Sequence, residues 1–250
     1  MQRRTDLVEH LDGPLDDLPA LDANLRDLRR LNRLFAGVAL SRWGVDRLID
    51  GLDRPATILD VGTGGADIPV ALLADARWRG RSVEVTAVDS RPEILAAARR
   101  ARPVLDRVPG LKLALVDAQR LPYPNETFDV GHASLVIHHL DEAEAVRFLA
   151  ELGRVSRLGV VVNDLDRTQL ALAGAWLSGR LLARSRFTRD DAPASVRRAW
   201  RPAEVSELLV QAGLRPDVQR LSFAGQRYAI VAVPRTAVAG PPTAGGSAGA

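Results

Sequence analysis

Between Thr57 and Ile68 the chain reads TILDVGTGGADI: a β-branched apolar run breaks into glycines and resumes as a helical pattern. A buried strand that passes through glycine directly into a helix commits a chain to an open α/β sheet. Gly62 and Gly64 admit backbone angles closed to other residues, and without side chains they let a ligand approach the main chain. The free N–H groups of the helix that follows face that ligand. The dinucleotide fingerprint needs a third glycine three positions after the second, where Asp67 stands, so the pattern is GxGG and argues against NAD. A diphosphate sits poorly beside Asp60 and Asp67, whereas an ammonium or sulfonium centre tolerates them. On these residues alone, a tight strand-to-helix turn without a ligand stays open.

The punctuation repeats. Val83 to Asp89 reads as a second buried strand ending in an acid, roughly 25 residues after the first glycine, near the offset of a ribose-binding acid. A third strand, Leu111 to Val116, ends at Asp117-Ala118, and a fourth, Phe128 to Ile137, ends at His138-His139-Leu140. A fifth, Gly159 to Asp164, again ends in polar residues. Helices predicted over Ile68–Trp78, Pro92–Leu105 and Glu142–Val155 alternate with the strands, which is the βαβ pattern of a parallel sheet. In such a sheet ligands bind beyond the carboxyl ends of the strands where the order reverses. The glycines, Asp89, Asp117 and the histidines are expected to converge there, although any single acid also suits a helix cap or a turn.

These motifs, ILDVGTGGAD, VTAVDS and LVDAQRLPYPNETFDVGHASLVIHHL, resemble those of the class I S-adenosylmethionine-dependent methyltransferases of the bacterial small-molecule type, over about residues 57 to 233. The resemblance implies a Rossmann-like, seven-stranded, mostly parallel sheet with helices on both faces and a reversed last strand. It implies S-adenosylmethionine as cofactor. Gly62, Thr63 and Gly64 would pass beneath its methionine part, Asp89 would accept from both ribose hydroxyls, and Asp60, Ser90 and Ser134 would complete the cofactor-binding set. Asp117 would accept from the adenine amino group and the Ala118 backbone would meet a ring nitrogen. An ionised carboxylate accepts hydrogen bonds only, which independently suits a vicinal diol or an exocyclic amine.

Two hundred and fifty residues suit one large α/β unit. The absence of cysteine excludes disulfides, thiol nucleophiles and thiolate metal sites. No stretch is apolar and long enough to span a bilayer, so a cytoplasmic protein is expected. The formal charge is +3, and Lys112 is the only lysine, a skew that fits a GC-rich genome better than a nucleic-acid partner.

Residues 1–50 are expected to form a helical lid. Its start, to about Pro19, is acidic and irregular, and an amphipathic helix runs from Asp22, its cap, to Phe35. This helix would stand outside the sheet core, with Arg29 or Arg33 approaching the cofactor carboxylate or simply facing solvent. Residues 51–234 form the main domain. Within it, an insertion over 168–200 carries an apolar helix from Leu170 to Leu182 and a polar run, with Trp176, Phe187 and Trp200 expected to cover an apolar acceptor pocket or to pack on the core edge. Pro202 to Ala212 is a helix closed by Gly213. Arg215–Phe223 and Gln226–Val233 then make a terminal hairpin, and residues 235–250 a disordered tail.

Methyl transfer from a sulfonium needs alignment and, for an oxygen acceptor, a base, but in principle no metal. His139 is the first candidate for that base and His138 the second, because imidazole titrates near neutral pH and both follow the fourth strand. A positioning role for the pair is equally open. His132, inside the strand, reads as a packed, hydrogen-bonded residue. The expected partner is a small phenolic, quinone-like or polyketide-derived acceptor. An RNA methyltransferase and a non-catalytic cofactor-binding module are the alternatives.

Overall fold

The computed structural model describes residues 1–223 and 225–235; the low-complexity segment from 236 onward lies outside them. Seven strands form one sheet in the order β3-β2-β1-β4-β5-β7-β6. They are β1 (Ala56–Val61), β2 (Val83–Asp89), β3 (Leu111–Leu115), β4 (Phe128–Ser134), β5 (Ser156–Leu165), β6 (Leu214–Leu221) and β7 (Arg227–Pro234). The β1–β2, β2–β3, β1–β4 and β4–β5 ladders are parallel, and β7 runs antiparallel to both neighbours. The last strand is therefore the reversed one, as expected.

The central strands are apolar on both sides because helices cover both faces. Ile58, Val130, Val161 and Val231 point into one layer with Val45 and Ile49 of α2 (Gly37–Ile49) and Ile68 and Leu72 of α3 (Asp67–Trp78). Their chain neighbours Leu59, Val160, Val162 and Ile230 point into the other, against Phe148 and Leu149 of α5 (Glu142–Arg154) and Leu208 and Leu209 of α8 (Pro202–Gln211). At the foot of the sheet the fully buried Asp129 accepts from both guanidinium arms of Arg54 (2.8 and 2.6 Å), from Arg157 (2.5 Å) and from the Thr57 N–H (2.9 Å). This clamp fixes the start of β4 beside β1.

Several expected boundaries move for local reasons. The first helix, α1, spans Leu18–Leu34 and is capped by Asp17, which accepts from the Ala20 N–H at 3.0 Å; Asp22 lies inside it. Pro19 sits in the first turn, where it has no hydrogen bond to lose. Helix α4 (Pro92–Ala101) stops short of Leu105, because Arg102 precedes Pro103 and is steered out of the helical region. The fourth strand ends at Ser134: Leu135 takes φ +59°, and Ile137–His139 form a 3₁₀ turn. The polar run in the insertion is helical. It forms α7 (Arg186–Arg198), with Ser185 as its cap, alongside α6 (Gln169–Leu181).

The first helix is not detached from apolar packing. Its Leu21 and Leu25 pack with Ile94 and Ala97 of α4, Phe187 of α7 and Leu15. Its buried Asp27 accepts from the N–H groups of Arg184 and Ser185 (2.7 and 2.8 Å), which ties α1 to the start of α7. The second helix within the expected lid segment, α2, lies directly on the sheet. No helix among the described residues is long and apolar enough to cross a membrane.

Candidate active site

The strand order reverses between β1 and β4, and the glycine turn stands at that point. Gly62 and Gly64 have φ of +69° and +53°, and Ala66 also sits in the left-handed region. The Gly64 N–H donates to Asp89 Oδ2 at 3.0 Å and the Arg91 N–H to Oδ1 at 3.1 Å, so the carboxylate is aimed while each oxygen keeps a lone pair. A cavity of about 200 Å³ opens here, walled by Asp60, Gly62, Thr63, Gly64, Asp67, Asp89 and Ser134, with Leu25, Leu28 and Asn32 of α1 above.

The electrostatics of this cavity suit a ligand bearing both charges. Burial pushes the Asp67 and Asp89 carboxyls up, and Asp60 adds a third acid. Beyond Asp67, Arg102 donates to the Gly65 carbonyl at 2.8 Å; burial and then the nearby Arg29 lower its guanidinium. Arg33 belongs to the same basic edge. The Thr63 hydroxyl is buried without a partner, and a Cβ placed on Gly64 would meet no protein atom within 4 Å. An orphaned polar atom and open space beside glycine are what S-adenosylmethionine would fill, with its sulfonium among acids and its carboxylate toward arginines.

Ser90, Asp117 and Ala118 stand outside this wall. Asp117 is exposed and accepts from the Gln119 N–H at 2.9 Å; it extends the rim beside Asp89, whose carbonyl accepts from the Val116 N–H at 3.0 Å. His132 is packed and bonded, as its place inside a strand implied. Its Nδ1 is 2.5 Å from Asp60 Oδ1 and its Nε2 is 2.8 Å from Ser41 Oγ, which also accepts from Asn163 Nδ2 at 2.7 Å. This chain of bonds orients Asp60 toward the cavity.

The 3₁₀ turn carries the two histidines at the other end of the site. His138 is buried, with Nδ1 2.7 Å from Asp164 Oδ1. His139 is partly exposed, with Nδ1 2.7 Å from Asp12 Oδ1. Burial works against ionisation of Asp12, but His139 and Arg198 together hold it below the ordinary carboxylate range. Above both rings lies Glu9, buried and accepting from Ser195 Oγ at 2.7 Å; burial pushes its carboxyl up to about 6.

A second cavity, of about 140 Å³, adjoins the histidines. The small residues Ala171, Gly174, Ala175 and Ser178 make one stripe of α6, and Thr188, Asp191, Ala192, Ser195 and Val196 one stripe of α7. Leu31, Phe35 and Leu165 complete an apolar lining. Trp176, Phe187 and Trp200 do not line it. Trp176 is exposed, Phe187 stacks on His10 at 4.5 Å, and Trp200 is in the main core, donating to the Ile137 carbonyl at 3.0 Å. Leu11, Leu28, Asn32, Leu135 and His139 belong to the walls of both cavities, so the two meet at the sheet edge. Asn32 joins them chemically, donating to Asp67 Oδ2 at 3.1 Å and accepting from Arg227 Nη1 at 2.7 Å.

Glu9, Asp12 and Arg198 escape a reading of the sequence, and Asp164 is legible there only as the polar end of the fifth strand, not as the partner of His138. Glu9 and Asp12 lie in a segment without periodicity, and Arg198 is one of several arginines in a polar run. Only the small-residue spacing of α6 carried a readable signal.

Residues 58–159 match a family model described as a methyltransferase domain. The chain is 32% identical over 102 residues to a ubiquinone/menaquinone biosynthesis C-methyltransferase UbiE of Rickettsia akari, covering 39% of this chain and 41% of that protein. It is 33% identical over 124 residues to a phosphatidylethanolamine N-methyltransferase of Cereibacter sphaeroides, covering 48% and 56%. The chain thus spans about half the length of these relatives. A SAM-dependent methyltransferase from Aquifex aeolicus shares the fold, with a TM-score of 0.59 at 21% identity over 84% of this chain and 97% of that one.

Proposed function

We propose that this chain, whose residues 58–159 match a methyltransferase domain, is a class I S-adenosylmethionine-dependent methyltransferase that methylates an oxygen or carbon of a small phenolic, quinone-like or polyketide-derived acceptor. The observation that carries this reading is the pair of cavities meeting at His139, one acidic and glycine-lined, the other apolar and roofed by small side chains. The relative named for ubiquinone/menaquinone C-methylation supports a quinone-like acceptor.

When bound, S-adenosylmethionine supplies an electrophilic methyl group on a positively charged sulfur. Asp89 with Ser90 holds the ribose, and Asp117 with the Ala118 backbone the base. Gly62, Thr63, Gly64, Asp60 and Ser134 hold the methionyl part, and Arg29 and Arg33 its carboxylate. Leu11, Leu28 and Leu135 keep water from the junction. His139 is the base: Asp12 fixes its Nδ1–H, so Nε2 carries the lone pair that takes the acceptor's proton. His138, held by Asp164, positions that ring, which lies 4.2 Å from its own.

S-adenosylhomocysteine release over a panel of phenols, quinones and polyketide-derived compounds tests the reading. Turnover on one class supports it. Cofactor binding without turnover on any compound would make the chain a binding module, and salt-sensitive turnover on RNA alone would replace the acceptor.

A further inference from the structure

We propose that Glu9, His138 and His139 bind a divalent transition-metal cation, with zinc the best match, at the edge of the acceptor cavity. The inference rests on the reading of that cavity as the acceptor's and changes what sits on the histidine Nε2 atoms.

The first argument is the state of the two rings. Each Nδ1 is 2.7 Å from a carboxylate oxygen, of Asp164 for His138 and of Asp12 for His139. A carboxylate on one ring nitrogen fixes the tautomer and leaves the other nitrogen's lone pair outward; metal-binding histidines are held in the same way. Both Nε2 atoms face Glu9, at 3.8 Å from Oε1 for His138 and 4.0 Å from Oε2 for His139. These are too long for hydrogen bonds and close to the spacing of ligand atoms around one ion. The donor atoms lie within 4.8 Å of one another, whereas bonds of ~2.0–2.2 Å in a tetrahedron set them roughly 3.3 Å apart, so small side-chain rotations close the site.

The second argument is what the site lacks. Glu9 Oε1 is buried and accepts no hydrogen bond. Arg198 Nη1 is 3.6 Å from it but donates to Asp12 instead. Around the rings the carboxylates of Glu9, Asp12, Asp164 and Asp191 outnumber the guanidiniums of Arg198 and Arg227, so a cation is electrostatically in demand. Two imidazoles and one carboxylate suit zinc and its neighbours rather than magnesium or calcium, which prefer all-oxygen sites. The cavity side remains open, which leaves a position for an acceptor oxygen. There the cation would draw a lone pair from that oxygen and lower its pKa, its proton passing to water.

The test uses the full chain, stripped with a chelator and titrated with Co²⁺ while its visible d–d absorption is followed. One Co²⁺ per chain is expected, displaced by Zn²⁺. Glu9→Gln and His139→Gln should abolish the bands, and Asp12→Asn, which meets His139 at Nδ1 and also loosens Arg198, should weaken binding about 10- to 100-fold. Circular dichroism shows whether each variant is folded; the half-buried His139 makes its variant the safer one. Saturable binding lost in these variants supports the site whatever the acceptor panel gives. No visible band in the wild-type protein, or an equal band in both ligand variants, overturns it and leaves the base reading of His139 standing.

Discussion

Gly62→Ala and Gly64→Ala look alike in sequence and should behave differently. At Gly62 an alanine must hold φ near +69°, which costs about 1–2 kcal/mol, and its Cβ would stand 2.5 Å from Val136 Cγ2. That contact has to open by about 1 Å, an overpacking cost of about 1–3 kcal/mol. Gly64→Ala carries only the backbone share, since nothing lies within 4 Å of its Cβ, and Ala36 and Ala66 already tolerate φ of 62° and 50°. Thermal unfolding should therefore show Gly62→Ala down by roughly 4–20 °C and Gly64→Ala, with the backbone share alone, by roughly 2–8 °C. Val136→Ala removes the clashing methyl, so the Gly62→Ala/Val136→Ala pair should lose less than the sum of the singles by about 1–3 kcal/mol. Calorimetry should find the reverse order for the cofactor, with Gly64→Ala binding it ~10-fold or more weakly although better folded, because its methyl enters the cavity wall. Equal melting temperatures for the two singles, or strict additivity with Val136→Ala, would refute the reasoning.

Three further outcomes are expected. Asp89→Asn should weaken S-adenosylhomocysteine binding by about 2–4 kcal/mol with the fold intact, since an amide cannot accept as two carboxylate oxygens do; unchanged calorimetric affinity would remove Asp89 from the site. Asp129→Asn should cost about 3 kcal/mol at neutral pH, the low end for a broken buried pair because Arg54 and Arg157 are half exposed. Burial opposes ionisation of Asp129, but Arg54, Thr57 and Arg157 hold its folded pKa below the unfolded value, so its stabilisation is full above about pH 4 and fades as pH falls further. Denaturant curves should accordingly show the variant's deficit shrinking in acid. Leu21→Ala, at a position 0% exposed between α4 and α7, should cost about 2–4 kcal/mol in urea unfolding, whereas a loss below 0.5 kcal/mol would mean that α1 is only an outer cover.

The sheet was legible because most of its strands carry their own signal, an apolar run with a polar end, β-branched in β1, β2, β5 and β7 and followed by a helix after β1, β2, β4 and β5. β3 has neither a β-branched residue nor a helix before β4, and is marked only by its apolar alternation and by Asp117 beyond its end. The glycine turn could be placed for the same reason, since Gly62 and Gly64 act through backbone geometry and Asp89 ends the very next strand, whereas the His132 that holds Asp60 comes from a strand 72 residues on. The acceptor side was not legible. Glu9 and Asp12 reach His138 and His139 across more than a hundred residues of chain, from a segment with neither helix nor strand period. α7 was hidden by Pro193 and by a charge pattern whose apolar members, Phe187 and Val196, are few. Of the two places left open for the insertion's aromatic residues, Trp200 and Phe187 take the packed one, whereas Trp176 is exposed, because size and hydrophobicity do not say which side of a helix faces a cavity.

The shared wall of the two cavities divides the site into positions that are free to change and positions that are not. Leu11, Leu28, Asn32, Leu135 and His139 answer to both ligands at once, so a replacement that reshapes the acceptor's space also disturbs the donor's. Ala171, Gly174 and Ala175 of α6 and Ala192 and Val196 of α7 touch only the acceptor's space. Retailoring this scaffold to a new acceptor, by selection or by design, has its freest route through those positions, where a change of side chain alters the cavity's shape and leaves the donor's surroundings as they were; at Gly174 an added methyl must also displace the Gln226 amide, which would stand 2.6 Å from it.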